Sequence, residues 1–294
     1  MGTSSSYSGP SSGLVPDWVD GVDSGMDGGG DDDGPTQDDS EGTGEADQGQ
    51  DAGQTSDLDA TPQTAPAAAA AGDFQYPRGQ FTRFTNGGGR KALGRALKGY
   101  VSSAGGGAGA ARRMPSSTRV ASGVAGLAST FANEGPAAAL ARFNLQDLAG
   151  RPATEVLESV AEIICPDGGT IDEAIARDAM LEAIGDLAAE DPGAFDELSS
   201  DQLNDFLCDV IERSIVTKVL NEIGTNALHG SATDADFREA EQITRDYTHG
   251  RVRDALGSRF DPGSQPTQAE IDRSISNVFA DSFEMLGAVL ESMQ

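Results

Sequence analysis

From Ser117 onward, apolar residues recur with the period of a helix. Val120, Val124, Leu127 and Phe131 share one face, and Gly123 and Gly126 allow close approach of a neighbour. Pro152 opens a helix bearing Val156, Leu157, Val160, Ile163 and Ile164, which Gly168-Gly169 ends. Thr170-x-x-Glu173 forms a capping box ahead of Ile171, Ile175, Leu181, Ile184 and Leu187. Asp191-Pro192-Gly193 breaks the chain, and Ser200 or Asp201 starts a long helix with Leu203, Phe206, Leu207, Val210, Ile211, Ile215, Val219, Leu220 and Ile223. Thr233 or Asp234 caps the next, with Phe237, Ile243 and Tyr247 inward and Gly250 as an interruption. Thr267-x-x-Glu270 caps the last, which carries Ile271, Ile275, Val278, Phe279, Leu286, Val289 and Leu290. No segment alternates with period two for long enough to make a strand. The pattern predicts an all-α, bundle-like helical domain over residues 117–294, large enough for one core.

Upstream the pattern weakens. Residues 73–116 read as a basic, Gly-rich segment with a short amphipathic helix from about Arg90 to Val101. Leu93, Leu97 and Tyr100 fall on one face, and Lys91, Arg95 and Lys98 on the other. Gly94 and Gly99 each weaken that helix by roughly 1 kcal/mol, so it is expected to form against a partner surface. Gly105-Gly106-Gly107-Ala108-Gly109 reads as a hinge. Residues 1–72 read as a long disordered acidic N-terminal arm, because residues 19–72 bury too little apolar surface to offset ordering entropy. As a flexible coil, that stretch has a mean reach on the order of 50 Å. Near its start, Leu14-Val15-Pro16-Asp17-Trp18 is either a short docking element or a chance apolar cluster.

Charge divides the chain into acid, base and acid. Residues 1–77 carry 16 acids and no base, residues 78–119 carry nine bases and no acid, and residues 120–294 carry 32 acids against 11 bases. The bases are interleaved with Phe81, Phe84 and Tyr100, a composition that suits nucleic-acid phosphates and bases. Both flanking blocks compete for the same cations, so internal neutralisation plus docking onto an acidic partner is the preferred reading. Cys165 and Cys208 sit in apolar helical patterns and are expected to be reduced core thiols.

Catalytic chemistry is sparse. No Gly-x-Ser-x-Gly, His-Glu-x-x-His or Walker A pattern occurs. His229 stands at a helix end, and His249 follows Asp246 by three residues; both are expected to be plain surface residues, with no metal held. Glu155, Glu158 and Glu162 make a solvated helical stripe. The chain has neither the charged n-region nor the apolar run of a signal peptide, and its longest small-apolar run, Val120 to Ala132, is too short to span a bilayer. A cytoplasmic location with no membrane partner is expected.

The sequence also resembles a known family. Met1-Gly2-Thr3-Ser4, Leu14-Val15-Pro16-Asp17-Trp18 and the acidic linker are similar to the QatB family, the B component of Qat anti-phage defence systems. The likeness continues through Arg83-Phe84, Gly87-Gly88-Gly89-Arg90, Leu93, Leu97-Lys98-Gly99-Tyr100 and Ala111-Arg112-Arg113-Met114. The resemblance implies three partners: an ATPase, a homologue of the deazaguanine synthase QueC, and a TatD-like nuclease. It further implies a chain that is no enzyme itself, binds no cofactor, and serves as substrate of the QueC-like enzyme. The matching acceptor is the Gly2 amine, which would carry a covalent 7-deazaguanine adduct. Thr3 and Ser4 would follow Gly2 into that enzyme. Leu14, Val15, Pro16, Trp18, Arg90, Leu93, Leu97, Tyr100, Arg112 and Arg113 are the expected partner-binding residues. Two alternatives stand beside this reading: an unmodified adaptor docking the ATPase and QueC-like subunits, and a nucleic-acid-binding module using residues 78–119.

Overall fold

Four helix starts are encoded locally. Thr170, Ser199, Thr233 and Thr267 each accept a hydrogen bond from the backbone N–H three residues on, and Glu173, Gln202, Asp236 and Glu270 return one to the cap. They launch α7 (Ile171–Ala189), α8 (Ser200–Gly224), α9 (Asp234–Arg259) and α10 (Gln268–Gly287). Pro115 and Pro136 start α4 (Pro115–Glu134) and α5 (Pro136–Arg142) at the position where a missing N–H costs nothing. Pro152 precedes α6 (Ala153–Ile164). The structure, a computed structural model, describes residues 72–165, 169–225, 227 and 232–288. Gly72 apart, the expected acidic arm lies outside them, as do His229, Val289 and Leu290. No strand occurs among the described residues; Pro152 and Ala194 form an isolated antiparallel bridge.

The helix α8 runs through the middle. Leu203, Phe206, Leu207, Val210, Ile211, Ile215, Val219 and Ile223 are buried as α7, α9 and α4 pack around it. A single apolar cluster extends from Phe74 to Leu286. Within it Phe131 meets Phe195 edge-on at 5.4 Å between ring centroids.

The N-terminal segment departs most from expectation. It folds as α1 (Gln75–Arg83), a π-type turn (Phe84–Gly88), α2 (Gly89–Ser103) and α3 (Gly106–Ala111). The first of these has no counterpart in the pattern read from sequence, and Pro77 and Gly79 are poor helix residues. Pro77 nonetheless sits in the first turn, where its absent N–H has no intrahelical partner to lose. The partner surface that α2 needs is supplied by this chain, through α1 and α10. The expected hinge at Gly105–Gly109 is instead a close helix crossing. Gly105 and Gly106 turn the chain at φ 89° and 80°, and α3 then lies against α10. A Cβ on Gly107 would stand 2.2 Å from the Ala280 carbonyl oxygen, so only glycine permits that approach.

Three smaller expectations also change. Gly250 does not interrupt α9, because buried Thr248 and Val252 hold the helix on either side. Ile163, Ile171 and Leu181, placed inward by periodicity, are 48%, 73% and 43% exposed. In α7 the inner face instead follows Ile175, Ala176, Ala179, Met180, Ala183 and Ile184, so small alanines do the packing that Leu181 was expected to do. Residues 136–142, not read as helical, form α5.

Candidate functional site

Polar side chains concentrate at two places on α8. Near its C-terminal end, Glu222 takes both carboxylate oxygens to Arg113 at 3.1 Å and pairs with Lys218 at 3.2 Å. The Glu222 carbonyl accepts from Arg78 Nε at 2.9 Å. The Arg113 guanidinium also stands 4.8 Å from the centre of the Phe74 ring, a cation–π contact. Tyr100 is buried beneath this knot, its hydroxyl near Glu222 and Arg113 but outside hydrogen-bond geometry. Burial, reinforced by the Glu222 charge, pushes its phenol far above the usual range, so it stays neutral. The knot fastens α1 and the end of α3 to α8.

The second place joins α7, α8 and α9. Buried Arg213 bonds Glu182 at 2.7 Å and also bonds Asp186. Buried Glu212 accepts from Arg245 Nε at 3.0 Å, and its other oxygen lies 2.7 Å from His249 Nδ1. Burial, then repulsion from Glu212, raises the Asp209 carboxyl above its ordinary range. Glu212, Arg238, Glu241, Gln242, Arg245, Asp246 and His249 line an open groove of about 510 Å³. Asp209, Glu212 and His249 bring their ligand atoms within 4.8 Å of one another. Arg245 and His249 each engage one oxygen of Glu212, so the three side chains belong to an ion-pair network across α8 and α9. Sequence spacing pointed to Asp246 as the carboxylate beside His249. Asp246 does line the same groove, but the contact is made by Glu212 across the helix pair.

The sequence-predicted site residues scatter. Gly2, Thr3, Ser4, Leu14, Val15, Pro16 and Trp18 lie outside the described residues. Leu93, Leu97 and Tyr100, expected to face a partner protein, are fully buried by this chain's own helices. Arg113 is largely enclosed by the Glu222 knot. Arg90 is exposed on α2, and exposed Arg112 lines a groove of about 470 Å³ with Ala108, Ala111, Pro115 and Ala280. The Glu212 and Glu222 knots were missed because each unites residues far apart in sequence. The signal that could have found them is a charged residue on the apolar face of a helix: Glu212, Arg213 and Lys218 interrupt the core pattern of α8. Cys165 and Cys208 are free and buried, and burial pushes their thiols up to about 11 and about 12.

A family model described as QatB, Qat anti-phage system associated protein QatB, matches residues 105–286. The chain belongs to the QatB family. The match covers more than half of the chain and begins in the turn before α3, so it rests on the helical body. Of the motifs that carry the resemblance, those from Met1 to Tyr100 lie before the matched range and Ala111-Arg112-Arg113-Met114 lies inside it, at its N-terminal end. No curated protein and no solved structure matches the chain. Membership makes the protein a component associated with an anti-phage defence system. Among the described residues, no helix is long and apolar enough to cross a membrane.

Proposed function

We propose that this chain is a non-catalytic member of its Qat system, a helical scaffold whose acidic N-terminal arm presents Gly2 to a QueC-like enzyme. The observation that carries the reading is membership of the QatB family. The sequence of the arm supports it. Glycine has no side chain to block a narrow pocket, and Thr3 to Ser6 are small enough to follow. An α-amine with a pKa of about 8 is appreciably unprotonated at neutral pH and so nucleophilic. In the proposed step the amine attacks an ATP-activated deazaguanine carboxyl group. The amide C–N bond forms, the activated C–O bond breaks to release the nucleotide, and the amine gives its proton to solvent. The body contributes docking, with the ATPase and QueC-like subunits as its proposed partners and a TatD-like nuclease as a further one.

Intact-mass measurement of the chain co-expressed with its operon tests this. The expected mass is that of the Met-less chain plus one deazaguanine acyl group. Gly2→Pro is expected to abolish both the adduct and phage protection while leaving the helical circular dichroism unchanged. A chain recovered with a free Gly2 amine overturns the modification. If in addition Trp18→Ala alone releases the partners, the protein is an unmodified adaptor.

A further inference from the structure

The two faces of α2 have opposite fates. Ala92, Leu93, Ala96, Leu97 and Tyr100 are at most 1% exposed and seal the core. Lys91, Arg95 and Lys98 stand exposed on the outer side, Arg90 is exposed in the first turn of α2, and Arg83 is exposed at the end of α1. Arg78 and Arg113, from the same basic block, are consumed by Glu222. These five cations make no ion pair among the described residues, and no acid occurs anywhere between Arg78 and Arg119. The face therefore holds a fixed positive field unshared with any neighbouring carboxylate of its own segment.

One aromatic ring belongs to this face. Phe81 and Tyr100 are completely buried and Phe74 and Phe84 nearly so, whereas Tyr76 is 58% exposed. Its ring is seated over Gly99, where a Cβ would fall 2.9 Å from Tyr76 Cδ1. Gly99 is thus the place on α2 where the ring rests, one residue beyond Lys98. Cations in a row beside an exposed ring are the combination that single-stranded nucleic acid uses, phosphates on the cations and a base on the ring.

We propose that the outer face of α2 binds single-stranded nucleic acid, with Lys91, Arg95, Lys98 and Arg90 on the phosphates and Tyr76 as the stacking platform. Lys91, Arg95 and Lys98 succeed one another at about 6 Å and 4.5 Å along the helix axis, given a 1.5 Å rise per residue. An extended strand laid along the helix meets them in turn. The chain's net charge of −28 does not forbid this. At physiological salt the Debye length is about 8 Å, so acids held farther than that from the row are largely screened. The exposed ring beside the cations adds a stacking contact that suits a nucleic-acid base. With contacts to phosphates and to a generic base face, the binding is indifferent to sequence.

The test is fluorescence anisotropy of labelled oligo-dT with the full-length chain across salt concentrations. Binding is expected at about 50 mM salt, with log K falling against log salt at a slope of about −3 for four phosphate contacts. Lys98→Gln should reduce the magnitude of that slope by about 0.7. Arg90→Gln/Lys91→Gln/Arg95→Gln/Lys98→Gln together should abolish binding, with circular dichroism reporting an intact helical fold. Should the quadruple variant not fold, the single Lys98→Gln slope carries the result. Tyr76→Ala should weaken binding about tenfold without changing the slope, separating stacking from charge. No saturable binding at low salt, or binding unaltered by the charge variants, overturns the proposal. So does displacement by polyglutamate at equal concentration together with an inert Tyr76→Ala, which would make the face a dock for acidic protein.

Discussion

The helices before Met114 and the four from α7 onward are held by different chemistry. In α7, α8, α9 and α10 every first turn carries its own capping box, written within four residues of sequence. None of α1, α2 and α3 has a side-chain cap from its own N-cap residue. Their ends are closed from a distance. The Glu284 carboxylate on α10 accepts from the Gly107 N–H at 2.9 Å, and the Glu222 knot grips Arg78 and Arg113. The later helices carry local instructions and then pack. The earlier ones exist because a surface waits for them. α4 stands between the two cases: Pro115 opens it, yet Asp172 of α7 accepts from Ser116 N–H at 2.7 Å and so completes its cap across the fold.

The sharpest way to break this comparison is at Gly107. Alanine is ordinarily the better helix former by about 1 kcal/mol. Here its Cβ would meet backbone on two sides, the Ala280 carbonyl at 2.2 Å and the Glu284 amide at 2.9 Å. Backbone cannot swing aside as a flexible side chain does, so α3 must lift from α10. Gly107→Ala is expected to lose about 3 kcal/mol of stability, measured by chemical denaturation, despite its gain in helix propensity. Limited proteolysis should then cut first between α2 and α4. A neutral or stabilising outcome would mean that the glycine run is the hinge its composition suggests.

That contrast also explains what could be read beforehand. Thr170-x-x-Glu173 and Thr267-x-x-Glu270 were legible because a cap is a short-range device. The long apolar face of α8 was legible because it repeats for 25 residues. The amphipathic pattern of α2 was legible too, including its basic outer face, but nothing local says that the surface covering Leu93, Leu97 and Tyr100 comes from α1 and α10 of the same chain. Gly105–Gly109 misled for the same reason. A glycine that frees the backbone and a glycine that lets two helices touch are identical in sequence, and only the neighbour distinguishes them. The Glu212 and Glu222 knots are contacts of long separation, hidden in principle from a local reading.

A smaller effect probes the other side of the comparison. Thr267→Ala removes the acceptor for the Glu270 N–H and the hydroxyl that donates to the Glu270 carboxylate, and should cost about 1 kcal/mol. Because α10 packs on α2 and α3, the loss is expected to be global, seen as one lowered thermal transition. If only the α10 N-terminus frays, with the rest of the melt unchanged, local caps and distant closures are less coupled than the packing implies.

The smallest expected effect distinguishes the two kinds of carboxylate in the capped region by the sign of their pH dependence. Hydrogen bonds from Thr170, Thr233 and Thr267 hold Glu173, Asp236 and Glu270 below their ordinary ranges. Their contribution is present above the ordinary carboxyl values and is lost as pH falls through the lowered ones. Asp209 behaves in the opposite sense. Burial and Glu212 raise it, with Asp186 adding to them and Arg213 and His249 opposing. Its favourable contribution is complete below the ordinary Asp value of about 3.9 and is lost as pH rises through the raised folded value. Asp209→Asn removes that penalty, so the variant should melt at a slightly higher temperature than the parent near neutral pH. The gap should close as pH falls below the ordinary Asp range, while the capping carboxylates bring both proteins down together. A variant that melts lower at neutral pH would make ionised Asp209 a stabilising partner of Arg213 and His249, and the knot around Glu212 would then favour its crowded charge.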